Sequence, residues 1–187
     1  MNKKLIAKLL AVGMVLAMLP VTALAAANTT GNNNYYYNFY EDTTANDTKV
    51  EDEDITLEAG EAVISAKVIN GIANVSMTEK AMDSIIEQLK EGEVLVLKIS
   101  AKGASTVNFS VPAKSLVAVA EKTGEGLVIE SDLAVITLPN EALKTQFKDA
   151  TTVSFKAEVS IMGAYSVTIR ADGKAVKDIK GLEVVFP

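Results

Sequence analysis

Cysteine, histidine and tryptophan are all absent from the 187 residues of this chain. Without cysteine there is no disulfide and no lipid-modified N-terminal cysteine, so stability must come from an ordinary hydrophobic core. Without histidine and cysteine, neither a Ser-His-Asp nor a Cys-His nucleophile can be assembled, and the usual zinc ligands are missing. No serine is followed three residues later by lysine, the spacing of a Ser-Lys pair on one helix face. We therefore predict a protein that is not an enzyme and has no cofactor.

Basic residues are also in the minority, with 18 Lys and Arg against 24 Asp and Glu. Loss of the leader described next removes three lysines, which leaves 15 basic and 24 acidic residues and a net charge of about −9. A surface of that charge repels nucleic acid and anionic lipid. We therefore expect no nucleic-acid partner.

The first 25 residues have the layout of a secretory signal peptide. A basic start precedes an apolar stretch, Leu9 to Leu19, and then Pro20 and a small-residue site that ends at Ala25. The alternative is an uncleaved anchor, because Leu9 to Ala27 is almost long enough to span a bilayer. Pro20 and the small residues favour cleavage after Ala25. We expect a secreted protein, extracellular or wall-associated, that meets the membrane only through its leader before cleavage.

Residues 26–54 are rich in Asn and Thr, become acidic toward their end and have no hydrophobic period. This composition predicts a disordered or loosely held linker. Four of the five tyrosines lie in it, a candidate surface contact that binds sugar or adds a strand to a neighbour, with a low-complexity spacer as the favoured alternative. These four are Tyr35, Tyr36, Tyr37 and Tyr40.

Residues 55–187 show regular periodicity and form the predicted folded domain. An alternating stretch turns near Asn70-Gly71 and returns through Met77, which predicts a hairpin. A helix should follow, with Thr78 as its N-cap and Gly92 as its stop. Residues 93–111 then predict a second hairpin that turns through AKGAS.

One phrase recurs at residues 77–82, 111–116 and 138–143, which align without gaps. Each copy begins with the apolar end of a strand, continues with Thr or Pro and ends in a large apolar residue. Proline suits the first helical turn, where its missing N–H had no partner. Each copy is therefore predicted to be a strand-to-helix junction, and Gly92 and Gly124, with Lys90 and Lys122 in the last turns, should end the first two helices.

The last predicted hairpin spans residues 153–176. Its first strand alternates from Val153 to Ile161, and Asp172-Gly173 marks another tight turn. The whole pattern predicts an α+β fold of repeated β-hairpin and short-helix units, with a mostly antiparallel or mixed sheet and three short helices on one face. Parallel and antiparallel arrangements of the strands that flank each helix remain open, because a connection of about sixteen residues just suffices for a crossover.

Five charged side chains in the predicted folded domain are candidate catalytic groups. Glu130 and Asp132 could act as acid and base on a glycosidic bond, but the folded part lacks the aromatic platforms that such enzymes use for the sugar. The favoured interpretation is that they are turn and surface carboxylates. Lys67, Lys98 and Lys156 lie in strand patterns and are predicted to point to solvent. We therefore expect no catalytic residues and no metal-binding residues.

Three stretches resemble a known family: SVPAKSLVAVAEKTGEGLVIESDLAVITLPNEAL, YSVTIRADGKAV and the closing GLEVVFP. They are similar to the region that precedes S-layer homology modules in surface proteins of Gram-positive bacteria, and the likeness covers residues 107–187. Family members continue into modules that bind cell-wall polymer, which this sequence does not show. A truncated gene, a free secreted subunit and attachment through a partner are the alternatives for its anchoring.

The resemblance implies a non-catalytic structural module of the cell surface or cell envelope, of the S-layer-associated type. Its partners would be cell-wall polymer, other envelope proteins or further copies of itself. The alternative is an extracellular binding module for polysaccharide, wall polymer or a host surface, with the tyrosine cluster or a sheet edge as the contact.

Overall fold

The computed structural model describes residues 47–51, 55 and 57–187. The three helices in these residues are α1 (Glu79–Gln88), α2 (Ala113–Thr123) and α3 (Asn140–Thr145). The strands are β1 (Asp47–Val50), β2 (Leu57–Glu58), β3 (Glu61–Ser65), β4 (Val68–Ile69), β5 (Ile72–Met77), β6 (Leu95–Ser100), β7 (Thr106–Pro112), β8 (Leu127–Ser131), β9 (Val135–Leu138), β10 (Thr152–Val159), β11 (Tyr165–Ala171), β12 (Lys174–Ala175) and β13 (Glu183–Val185).

The strands form two mixed sheets. Sheet A has the order β1-β5-β7-β10-β11-β12, with the short β4 also paired to β5, and sheet B has the order β13-β9-β8-β6-β3-β2. Both sheets contain parallel and antiparallel pairs. The α+β class with three helices is therefore confirmed. The expected single sheet is replaced by two.

Each helix carries the chain from one sheet to the other. Helix α1 joins β5 to β6, α2 joins β7 to β8, and α3 returns the chain from β9 to β10. Since β5 and β7 are parallel, as are β6 and β8, all three helices lie at one end of the sheets, which we call the helix end. The opposite end, the loop end, holds the connections at residues 66–67, 101–105, 132–134 and 160–164.

One hydrophobic core lies between the inner faces of the two sheets and the helices. Strand β10 shows how the sequence builds it: Val153, Phe155 and Ala157 are buried, and the residues between them face outward. The rings of Phe109 and Phe155, on paired strands, lie 6.0 Å apart. Period-two alternation thus gives the long strands β7 and β10 of sheet A one apolar and one polar face.

The three repeated phrases are strand-to-helix junctions, as predicted. Thr78 caps α1 by accepting a hydrogen bond from Ala81 N at 3.1 Å. Pro112 and Pro139, however, occupy the N-cap with ψ of 128° and 154°, and do not lie in the first helical turn. The fixed φ of proline is compatible with extended ψ, so each proline ends its strand and starts its helix at the same residue.

The predicted helix ends are partly correct. Gly124 ends α2 in the left-handed conformation with φ of 72°, and Lys122 lies in the last turn of α2. Helix α1 already ends at Gln88, so Lys90 lies beyond it and Gly92 forms the turn that follows. Lys114 on α2 is ion-paired with Glu79 on α1, and the hydrogen bond that Lys114 donates to Glu79 raises the pKa of Lys114.

Two predicted hairpins differ in the structure. The turn at Asn70-Gly71 is present, but it joins only β4 to β5, because the chain leaves sheet B after β3 and enters sheet A at β4. Strands β6 and β7 belong to different sheets and do not pair. The β8–β9 and β10–β11 hairpins are antiparallel, and Asp172-Gly173 forms the tight turn between β11 and β12.

The folded part begins before Ile55. Strand β1 lies inside the range 26–54 that composition assigned to a linker, yet it pairs in parallel with β5 and buries Val50 in the core. The leader at 1–25, with its expected cleavage, and the tyrosine cluster at 35–40 lie outside the described residues. Within the described part of the chain, no helix has the length and apolar character needed to span a membrane.

Candidate functional site

The two candidate carboxylates, Glu130 and Asp132, contact different neighbours. Glu130, on the outer face of β8, places Oε1 3.2 Å from Lys98 Nζ on β6. Its Oε2 is buried and has no hydrogen-bond partner in the described residues. Asp132 lies at the loop end, where Oδ2 accepts a hydrogen bond from Ala101 N at 3.3 Å. Glu130 thus connects β8 to the neighbouring strand β6, and Asp132 connects the loop after β8 to the residue that follows β6.

The three candidate lysines lie at the surface, as predicted. Lys67 is exposed, and its backbone N–H donates to Thr48 Oγ1 at 3.1 Å. Lys98 and Lys156 are half-buried, and each is paired with a carboxylate on an outer sheet face. Lys156 donates a hydrogen bond to Glu158, which lowers the pKa of that carboxyl. The lysines therefore belong to surface ion pairs or exposed turns.

The outer face of sheet A is polar across its central strands. Asn74 and Asn108 lie side by side in register, and Asn108 Nδ2 donates to Asn74 Oδ1 at 2.8 Å. Two rows of side chains run across β5, β7, β10 and β11, and they consist of six hydroxyl and amide side chains and two basic ones. The rows are Asn74, Asn108, Lys156 and Thr168, and then Ser76, Ser110, Ser154 and Arg170.

The outer face of sheet B combines apolar side chains with the ion pair between Lys98 and Glu130. Val96, Val128 and Val135 are buried there, although they do not belong to the hydrophobic core. Val63 and Val185, at either side of this face, are about half exposed. The two outer faces therefore differ. Sheet A presents mainly hydrogen-bonding groups, and sheet B presents the half-exposed Val63 and Val185 on either side of an ion pair.

The β10–β11 hairpin exposes apolar side chains at the loop end. The alternating pattern had placed Ile161 in a half-buried strand, but β10 ends at Val159, and Ile161 and Met162 form a fully exposed turn. Tyr165, at the start of β11, stacks on Phe186 with ring centroids 5.7 Å apart. Gly163, which follows Ile161 and Met162 in the sequence, is the signal that could have indicated this turn. In the structure it has a φ of 78°.

No family model, curated protein or solved structure matches this chain.

The described residues also contain no group of three acidic side chains placed to hold a metal ion. Tyr35, Tyr36, Tyr37 and Tyr40, the predicted surface contact, lie outside them. The candidate functional surfaces are therefore the two outer sheet faces and the hairpin at the loop end, and none of the three was singled out from the sequence.

Proposed function

We propose that this protein is a secreted, non-catalytic structural module of the cell surface, of the kind associated with S-layers. The observation that carries the proposal is where the candidate catalytic side chains lie. A catalytic site needs polar groups that converge on one concave position. Here Glu130 pairs with Lys98 on an outer face, Asp132 holds a loop, and Lys156 pairs with Glu158 on the other sheet.

The shape of the described unit supports the same role. Its core is enclosed by two sheets and three helices, and broad sheet faces remain for contacts with neighbours. Such faces suit packing between modules better than they suit a small substrate, which binds in a cleft. The acidic composition agrees with an exported protein that avoids anionic lipid.

Fractionation of the source cells tests this proposal. An antibody against the full chain should detect the protein in cell-wall extracts prepared with a chaotrope, and cytoplasmic and membrane markers should be absent from those extracts. Recovery of the protein only from the culture medium, with none in the wall extract, would contradict the proposal.

A second candidate function is a binding module for polysaccharide or wall polymer. The polar outer face of sheet A favours it, because rows of amide and hydroxyl groups can hydrogen-bond to sugar hydroxyls. Asn108→Leu should weaken pull-down on isolated walls if this face is the contact, and deletion of residues 28–40 should weaken it if the tyrosine cluster is. A structural module that uses neither surface should bind walls equally well in all three forms.

A further inference from the structure

The outer edge of strand β11 is only partly paired in the described residues. Its partner on one side, β10, covers its whole length, from Tyr165 to Ala171. On the other side β12 pairs only with Arg170 and Ala171, and Val176 N bonds to Ile169 O. Residues 165–168 therefore have no strand on their outer side among the described residues.

The direction of the backbone groups follows from the hydrogen bonds around them. Asp172 N donates to Thr152 O, and Ser160 N donates to Ala164 O. The backbone N–H and C=O groups of even-numbered residues in β11 therefore point toward β10. The backbone groups of odd-numbered residues point away from β10, as the carbonyl group of Ile169 does when it accepts from Val176 N. Tyr165 and Val167 thus direct N–H and C=O groups to the open side, where an incoming strand can pair with them.

This edge also lacks the features with which proteins usually protect edge strands. The edge strands β1, β2, β4, β12 and β13 are two to four residues long, and all of them except β4 carry a charged residue. The open stretch Tyr165-Ser166-Val167-Thr168 has no charge and no proline, and its residues favour strands. Beside it the hairpin turn exposes Ile161 and Met162 completely.

We propose that the open edge of β11 pairs antiparallel with the same edge of a second copy of this chain. The twofold axis passes through Ser166, because only this centre lets the outward groups of Tyr165 pair with those of Val167 in the partner. The pairing joins the two copies of sheet A into one continuous sheet. It also brings the exposed turn toward β12 of the other copy, so that the apolar side chains of Ile161 and Met162 become partly covered.

The arrangement is self-complementary, as an isologous dimer requires. Two hydrogen-bonded pairs, Tyr165 with Val167 and Val167 with Tyr165, flank the central pair of Ser166 residues. Ser166 faces the polar side of sheet A, and its hydroxyl donates to Glu158 within its own chain at 3.2 Å. This inference rests on the proposed structural role and deepens it by naming the partner.

A single cysteine tests the register, because the chain has none of its own. In Ser166→Cys the two sulfurs would lie across a non-hydrogen-bonded pair, with Cα atoms about 4.5 Å apart, which is within disulfide range. In the matched control Thr168→Cys, on the same face and strand, the two Cα atoms would be about 13 Å apart along the strands, which is too far. Under mild oxidation of the full chain, we expect a covalent dimer from the first variant and little from the second.

The oligomeric state of the full chain gives an independent measurement. We expect the unmodified chain to sediment as a dimer, and Ser166→Lys, which places two lysines opposite each other, to weaken the dimer by about tenfold or more. Val167→Pro should have the same effect, because it removes an N–H that points outward. Val63→Lys, on sheet B, is the matched surface control and should remain dimeric. Thermal unfolding of each variant should be cooperative, which separates lost pairing from lost folding.

A monomeric unmodified chain, or equal cross-linking of the two cysteine variants, would overturn the inference, and so would a dimer that survives both Ser166→Lys and Val167→Pro. Cell fractionation separates this failure from that of the proposed function. A monomer that is still recovered in wall extracts would remove the dimer and leave the structural role in place.

Discussion

Gly126 is required by contact with a neighbouring strand and not by an unusual backbone angle. An added Cβ there would lie 2.2 Å from the carbonyl oxygen of Leu138, at the end of β9. That atom is backbone, so it cannot turn away as the end of a long side chain could. In the sequence, Gly124 and Gly126 look alike, but only Gly124 is needed to end a helix.

Gly126→Ala should therefore lower the free energy of unfolding by about 3 kcal/mol, at the upper end of the cost of overpacking. Urea denaturation measures this loss. Gly92→Ala is the control, because its added Cβ meets nothing within 4 Å and only the positive φ is unfavourable. That control should lose about 1–2 kcal/mol. Equal losses in the two variants would show that the chain near Gly126 relaxes away from the contact.

Glu158 should make stability depend on pH. Its pKa is lowered mainly by the hydrogen bond from Lys156, so the carboxylate stabilises the fold above its ordinary pKa of 4.5 and loses this effect as the pH falls through the lowered value. Both side chains are about one-third exposed, which limits the effect to about 0.5 kcal/mol. The melting temperatures of the unmodified chain and Glu158→Gln should differ at pH 7 and converge in acid.

Glu121→Gln is the matched control for this measurement, since it removes a carboxylate that has no ion pair in the described residues. A Glu158→Gln difference that persists unchanged in acid would show that the ion pair is not its cause.

At the scale of elements, Thr78 connects a helix start to an edge strand. Its hydroxyl accepts from Ala81 N and donates to Val50 O, both at 3.1 Å, so one side chain caps α1 and holds the end of β1. Pro112 and Pro139 start the other two helices without a side-chain hydrogen bond. The three junctions have one layout but different sources of stability.

Thr78→Ala should cost about 1–2 kcal/mol of unfolding free energy, because the cap and the bond to β1 are both lost. Thr78→Ser, which keeps the hydroxyl, should recover most of it. Chemical denaturation of the three proteins measures the difference. If serine were as destabilising as alanine, the methyl group of Thr78 and not its hydroxyl would be responsible.

Elements were predictable where local chemistry specifies them. The junctions, the turns at Asn70-Gly71 and Asp172-Gly173 and the end of α2 at Gly124 depend on residues that are adjacent in sequence. The expected β6–β7 hairpin was wrong, because two alternating strands and a glycine-containing turn fit either a hairpin or a passage between two sheets. Only the partners of the strands distinguish these, and those partners are distant in sequence.

At the scale of the whole molecule, strand β1 shows that the compositional boundary and the folded boundary differ. The Asn- and Thr-rich composition continues up to the acidic run, yet residues 47–50 pair with β5, and Thr78 N donates to Val50 O at 3.3 Å. Four residues with one buried side chain give too little periodicity to be recognised as a strand.

A chain that begins at residue 55 should therefore be less stable than one that begins at residue 45. The loss of Val50 burial alone predicts a difference of about 2 kcal/mol, and the exposed edge of β5 adds to it. Guanidinium denaturation of the two shortened chains and of the full chain is the test. Equal midpoints for all three would show that β1 contributes nothing to stability.

The sequence by itself determined the α+β class, the three strand-to-helix junctions and the absence of histidine and cysteine chemistry, because these follow from residue types and short-range periodicity. Only the tertiary structure decided that the described strands divide into two sheets, that the three described helices lie at one end, and that part of β11 has an open, uncharged edge in the described residues. Those features depend on which strands become neighbours, and burial of apolar faces across the whole chain selects the neighbours.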